Sequence, residues 1–283
     1  MGSAQRTRRA VHPRPADHER RNHRLRTHRC VFRDALICSE PACEQEGAET
    51  ETDPRPCALS GRETARLFHS CGSKIYALTR NGQPTPESGY IIHGTGDPSG
   101  SLPEQYFATS SRSSTLSFFS ACDVVVNTLP DSEHTRGFIG EAELEAMKGD
   151  AIYVNIGRGT TTNQEALVKA LQAKPKDGEE EGATGTLRIG GASLECVCPP
   201  AFDATSDRRA KRTDPFPRSV TTPEPLPSPH PLYTLPNVVL TPHMSGLSRL
   251  YGTRCGDLLE KNVQRLRQGK GALNAFRGRG EDD

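Results

Sequence analysis

The apolar residues of this chain come in short runs separated by long polar stretches. ACDVVVNTLP holds a continuous apolar run that stops at Pro130, and DAIYVNIGRG holds another that ends in Gly-Arg-Gly. GGASLE and NVVLTPH are shorter runs of the same kind, and SKIYALTR precedes them all. Short apolar runs bounded by Gly and Pro predict strands buried on both faces, as in a parallel sheet. Between them GRETARLFHSCG, GEAELEAMKG and TNQEALVKALQ predict helices, and SRLYGTRCGDLLEKNVQRLRQG predicts a long terminal one. Short strands alternating with helices predict βαβ units, whose ligands sit at the carboxyl ends of the strands.

The polar stretches read differently. Residues 1–57 pass from an Arg- and His-rich part to an acidic, Pro-bearing part without a helical or alternating period, and are expected to be disordered. Residues 81–112 read as a Gly/Pro/Ser-rich loop, and 276–283 as a tail. The expected domain is therefore 58–275. The composition follows: 33% hydrophobic residues, 5% aromatic, no Trp, and a mean hydropathy of −0.64. As an average this is too thin for one core, so the apolar residues must be concentrated in the runs named above.

Charge and cysteines narrow the class. Lys+Arg 36 against Asp+Glu 35 leaves +1, which points to neither nucleic acid nor an acidic membrane. An Arg-rich nucleic-acid-binding arm within residues 1–30 is the weaker reading beside a solvated tail. No apolar run is long enough to cross a bilayer, and no apolar leader segment opens the chain. The nine scattered cysteines are then expected to be reduced in a cytoplasmic protein. His28, Cys30, Cys38 and Cys43 fit no zinc spacing, nor do Cys196 and Cys198, so no metal site is expected.

Two residues at strand ends and one in a proline-fixed loop suggest chemistry. Arg158, flanked by Gly157 and Gly159, could hold a carboxylate bidentately, or could be a surface arginine on a tight turn. His243, followed by Ser245 and Gly246, could act as a general acid, or be structural. Glu224 in TTPEPLP could orient and tune a histidine, or simply be solvated.

Together, CDVVVNTLPDSEHTRGFIGEAELEAMKGDAIYVNIGRGTTTNQEAL, GGASLE and TTPEPLPSPHPLYTLPNVVLTPHMSG resemble the D-isomer-specific 2-hydroxyacid dehydrogenases. The likeness runs over roughly 60–245 and the terminal helix, and GTGDPSGSLPE resembles fungal members. It implies a Rossmann-like α/β fold with a doubly wound parallel sheet. It also implies hydride transfer between NADH or NADPH and a 2-keto acid such as glyoxylate or hydroxypyruvate, yielding the D-2-hydroxy acid. By this resemblance Arg158, Glu224 and His243 are the catalytic residues. Gly61, Arg80, Thr128, Leu129, Pro130, Ile156, Gly157, Arg158, Glu195, His243 and Gly246 would line the cofactor. Arg80 stands where an acidic residue would bind a ribose hydroxyl, which favours NADP over NAD. A homodimer is implied by the family alone. Relatives that act as dinucleotide-sensing corepressors supply the rival, non-catalytic reading.

Three departures from the family pattern are expected to matter. RPCALSGRETARLF keeps only Gly61 of the glycine fingerprint, and no preceding strand is evident, so the sheet is expected to be incomplete and cofactor binding weak. No substrate domain is recognisable, which would leave Leu258, Leu259, Val263 and Leu266 of the terminal helix uncovered. CVCPPAFDATSDRRAKRTDPFPRS interrupts the run before Val220. Its ends are compatible with splice signals inside the Glu195 and Ser219 codons, so residues 196–219 read as a translated intron in a truncated or misassembled gene model. Transcript sequencing would test this.

Overall fold

A computed structural model of the protein describes residues 33–37, 56–85, 89–174, 184–195, 226, 229–246 and 248–274, all within the unit Phe32–Asp283. Seven strands form one parallel sheet: β1 (Arg33–Ile37), β2 (Lys74–Thr79), β3 (Gln105–Ala108), β4 (Val124–Asn127), β5 (Ile152–Asn155), β6 (Gly191–Glu195) and β7 (Val238–Thr241). Their order is β3-β2-β1-β4-β5-β6-β7. The order reverses between β1 and β4, which is the crevice where doubly wound sheets bind ligands.

The expected gap at the centre of the sheet is filled. RDALI forms β1, which pairs with β2 from Arg33↔Lys74 to Ile37↔Leu78 and with β4 from Asp34↔Val124 to Ile37↔Asn127. Both internal edges thus keep a partner, and the expectation of a missing first strand is corrected. The strand was hidden because it is five residues long and lies between a basic and an acidic stretch. The expected loop 81–112 is also corrected in part, since it contains β3 and the first residue of α2 (Arg112–Ala121). The insert 196–219 and the tail 276–283 lie outside the described residues.

Alternation along β4 divides the core between the two faces of the sheet. Val124 and Val126 pack with Ala65, Ile75 and Phe68, on the face covered by α1 (Pro56–Ser70). Val125 joins the larger cluster with Tyr153, Phe118, Phe119, Leu144 and Leu167, beneath α2, α3 (Glu141–Ala146) and α4 (Gln164–Gln172). Phe107, Phe118 and Phe119 meet edge to face at 5.6 and 5.4 Å, a geometry worth about 1 kcal/mol per pair beyond burial.

The helices are started by side chains. Ser111 accepts the Ser114 N–H at the start of α2, and Asn163 accepts the Ala166 N–H at the start of α4. Buried Glu143 accepts the Gly140 N–H at 2.9 Å and pairs with Arg112, which ties α3 to α2. The Gly/Pro-rich segment is fastened too: Arg62 of α1 donates to the Asp97 carbonyl at 2.8 Å, and Glu63 accepts the Gly96 N–H at 2.7 Å.

The terminal helix, α5 (Tyr251–Arg267), keeps the exposed apolar stripe that the sequence predicts. Leu259 and Leu266 are 65% and 60% exposed, with Val263 beside them, while Leu258 is half-buried. Among the described residues no helix is long and apolar enough to cross a membrane, and no group of His, Cys, Asp and Glu could hold a metal ion.

One histidine outside the strand ends gives the fold a pH dependence. His230 caps the short 3-10 turn Pro231–Tyr233 by accepting the Leu232 N–H at Nδ1 (3.2 Å). Its other ring nitrogen lies 3.1 Å from the Gln164 amide. Partial burial lowers its pKa, so as pH falls the unfolded chain takes up the proton first. The cap's contribution is complete above about pH 6.5, the unfolded value, and is lost as pH falls through the lower folded value. A His230→Asn variant keeps an acceptor that does not titrate. Its urea midpoint is expected to fall less than the parent's between pH 7.5 and 5.5; equal falls would refute the assignment.

Candidate active site at the carboxyl edge of the sheet

Four of the chemistry-bearing segments leave the same edge of the sheet. Thr128–Pro130 follow β4, Ile156–Arg158 follow β5, Glu195 ends β6, and His243–Gly246 follow β7. Arg80, exposed, follows β2 on that edge, while Gly61 is buried inside α1. Glu224 lies outside the described residues.

The turns after β4 and β5 are built alike. Asn127 and Asn155 end the two strands in register. Each folds its side-chain oxygen back onto the N–H two residues later, Asn127 onto Leu129 and Asn155 onto Gly157, both at 2.9 Å. Such Asx turns end a strand sharply and pair an N–H just beyond it. The two turns then touch. A Cβ at Gly157 would lie 2.7 Å from the Leu129 carbonyl oxygen and 2.8 Å from its nitrogen, so only glycine lets the backbones approach this closely.

This contact places Arg158 on a rigid support. Its carbonyl accepts Thr161 Oγ1 at 2.6 Å and the Thr161 N–H and Asn155 Nδ2 at 3.3 Å each. The following residues are pinned in turn: Gly137 donates to the Thr160 carbonyl at 2.8 Å, Ile139 to that of Thr161 at 2.9 Å, and Thr160 Oγ1 to Asp131 at 3.0 Å. The Arg158 guanidinium, half-buried, donates to the Gly157 carbonyl at 2.8 Å.

Behind the turns lies a polar network that the sequence reading missed. Asn127 Nδ2 donates to the Tyr153 hydroxyl at 2.9 Å and to Thr161 Oγ1 at 2.8 Å. The Tyr153 and Thr162 hydroxyls share a hydrogen bond of 2.6 Å, and Asn155 Nδ2 reaches Thr162 Oγ1 at 3.4 Å. Tyr153, Asn127 and Thr161 have no exposed surface, and Asn155 has 1%. Burial raises the tyrosine pKa, so the hydroxyl stays a donor at any working pH. The signal was present in the chain: VVVN and IYVN both end in Asn.

The histidine side of the edge is more open. His243, Met244, Ser245 and Gly246 are all exposed. Glu195, 9% exposed, reaches from the end of β6 to accept the Ser245 N–H at 2.7 Å. The sequence reading gives this carboxylate to the cofactor; in the structure one of its oxygens holds the turn that carries His243. The contacts between described residues join Thr128–Pro130 to Gly157 and Glu195 to the His243 turn.

Residues 59–178 match the family model described as D-isomer specific 2-hydroxyacid dehydrogenase, NAD binding domain. A glyoxylate reductase of Aeropyrum pernix is 33% identical over 148 residues, 52% of this chain and 33% of that protein. A glyoxylate reductase/hydroxypyruvate reductase of Mus musculus is 33% identical over 132 residues, 47% of this chain and 28% of that protein. The chain thus matches about a third of the length of these curated relatives. Among solved structures, a probable 2-hydroxyacid dehydrogenase from Rhizobium etli CFN 42, in complex with NADP, aligns with a TM-score of 0.52. The identity is 17%, over 87% of this chain and 56% of that one. The D-isomer specific 2-hydroxyacid dehydrogenase from Xanthobacter autotrophicus Py2, in complex with NADPH, gives 0.50 at 20% identity, over 81% and 75%. These two share the fold. Over residues 59–178 the chain is similar to the NAD binding domain of the D-isomer specific 2-hydroxyacid dehydrogenases.

Proposed function

We propose that this chain carries the nucleotide-binding part of an NAD(P)-dependent oxidoreductase that interconverts a 2-keto acid of the glyoxylate or hydroxypyruvate kind and the D-2-hydroxy acid. The observation that carries the reading is the rigid turn holding Arg158 beside the β4 exit turn, at the edge where the strand order reverses. A guanidinium on such a support suits a small carboxylate, because its fork binds both oxygens and its backbone cannot drift. The relatives named as glyoxylate reductases support the substrate class.

The residues after β2, β4 and β5 fit a dinucleotide, while only Gly61 of the glycine fingerprint is kept. Thr128–Pro130 and Ile156–Gly157 flank the crevice, and exposed Arg80 at the end of β2 suits a 2′-phosphate, which favours NADP over NAD. When bound, the cofactor supplies the hydride to the carbonyl carbon. Arg158 holds the substrate carboxylate and orients the carbonyl. His243 gives its proton to the carbonyl oxygen, where negative charge develops. Glu224 is assigned to orienting His243.

The test is absorbance of NADPH and NADH at 340 nm with glyoxylate and hydroxypyruvate, beside a fluorescence titration of each cofactor. Keto-acid-dependent oxidation that His243→Ala removes is the expected result. Cofactor binding without turnover would favour the non-catalytic, dinucleotide-sensing reading. Absence of both would show that this chain lacks the activity.

A further inference from the structure

We propose that Asn127 is a positioning residue, which couples the turn after β4 to the backbone of Arg158. For its catalytic consequence this rests on the oxidoreductase reading above. Asn127 uses both ends of its amide. Its oxygen sets the β4 exit turn by accepting the Leu129 N–H, and its nitrogen donates to Thr161 Oγ1, whose own proton goes to the Arg158 carbonyl. Two hydrogen bonds in series therefore link the end of β4 to the residue that holds the substrate. A second path runs from the same nitrogen through the Tyr153 hydroxyl to Thr162 Oγ1 and Asn155, whose amide also reaches the Arg158 carbonyl.

Asn127, Tyr153 and Thr161 have no exposed surface, so a partner lost among these three is not readily replaced by water; Thr162 keeps 9% and Arg158 is half-buried. A purely apolar core could close the sheet here, as Val124–Val126 do one turn earlier. The polar groups instead make the position of Arg158 depend on that of Leu129. Movement of the β4 exit turn on cofactor binding would then reach the substrate-holding arginine through the protein as well.

Asn127→Leu keeps the shape of the side chain and removes all three bonds. Hydrogen exchange is read at the Thr161 N–H, which donates to the Arg158 carbonyl, against the Ala170 N–H within α4. The Thr161 amide is expected to exchange about tenfold faster relative to Ala170, and the KM for glyoxylate to rise about tenfold. Tyr153→Phe, which cuts only the second path and retains the ring, is expected to give about a third of each effect, and it decides the matter if Asn127→Leu does not fold. A structural role alone would speed both amides together and leave KM unchanged. An unchanged ratio of exchange, or an unchanged KM with a changed ratio, overturns the proposal. A parent chain without turnover would sink the oxidoreductase reading separately, and the exchange ratio would still decide whether Asn127 holds the Arg158 turn.

Discussion

On the oxidoreductase reading, replacing Arg158 with Gln is expected to lower kcat/KM for glyoxylate about a thousandfold, the usual cost of removing a charged group that binds substrate and transition state. The fold should tolerate the change. The turn is set by bonds to the Arg158 carbonyl from Thr161 and Asn155, and these do not involve the side chain. The lost bond within the protein is the one from Nη1 to the Gly157 carbonyl, which faces a half-open edge. Urea denaturation of the variant should therefore match the parent, and the loss should appear in both kcat and KM. A fall in kcat/KM of less than about tenfold would mean that the carboxylate is held elsewhere.

The second large effect is structural. Gly157→Ala forces a Cβ to within 2.7–3.0 Å of Leu129 and Thr128 backbone atoms, which cannot swing aside as a side chain can. One of the two turns must move, at a cost of about 3 kcal/mol, toward the upper end for overpacking. With a typical urea slope the midpoint should drop by about 1–1.5 M. Activity should fall further than stability predicts, because separating the turns moves Arg158 away from the crevice. Unchanged midpoint and activity together would show that the backbones part freely and that the close approach has no role.

Much of this arrangement was legible from residue patterns because of where the strands lie. β4 is buried on both faces, so VVV had to be apolar without a break, and Tyr153, Ala192 and Leu194 fill the core from β5 and β6. Arg158 and His243 stood out because charged and titratable groups directly after such runs have few structural reasons to be there. β1 was not legible: its central position comes from pairing with β2 and β4, which no local pattern records. α2 was missed because RSSTLSFFSA is rich in serine, which favours caps and turns over helix interiors; here Ser111 at the cap and burial of Phe118 and Phe119 override that preference. The network behind Arg158 escaped notice because asparagine at the end of a strand ordinarily reads as a turn residue. That reading was half the truth, since each Asn makes its turn with the oxygen and the buried link with the nitrogen.

The central place of β1 also bears on how the chain assembles. Asp34 pairs with Val124, about 90 residues further along, whereas β4 meets β5 after a single helix. Pairings of such long range pay their loop-closure entropy before they gain any contact, and so form late. The half-sheets β2–β3 and β4–β7 can each gather from nearer segments, but they are joined only through β1. Until that strand slots between them, two parallel edges stand open to any other extended chain. The period before β1 docks is therefore the one in which a nascent molecule is most exposed to strand-mediated aggregation.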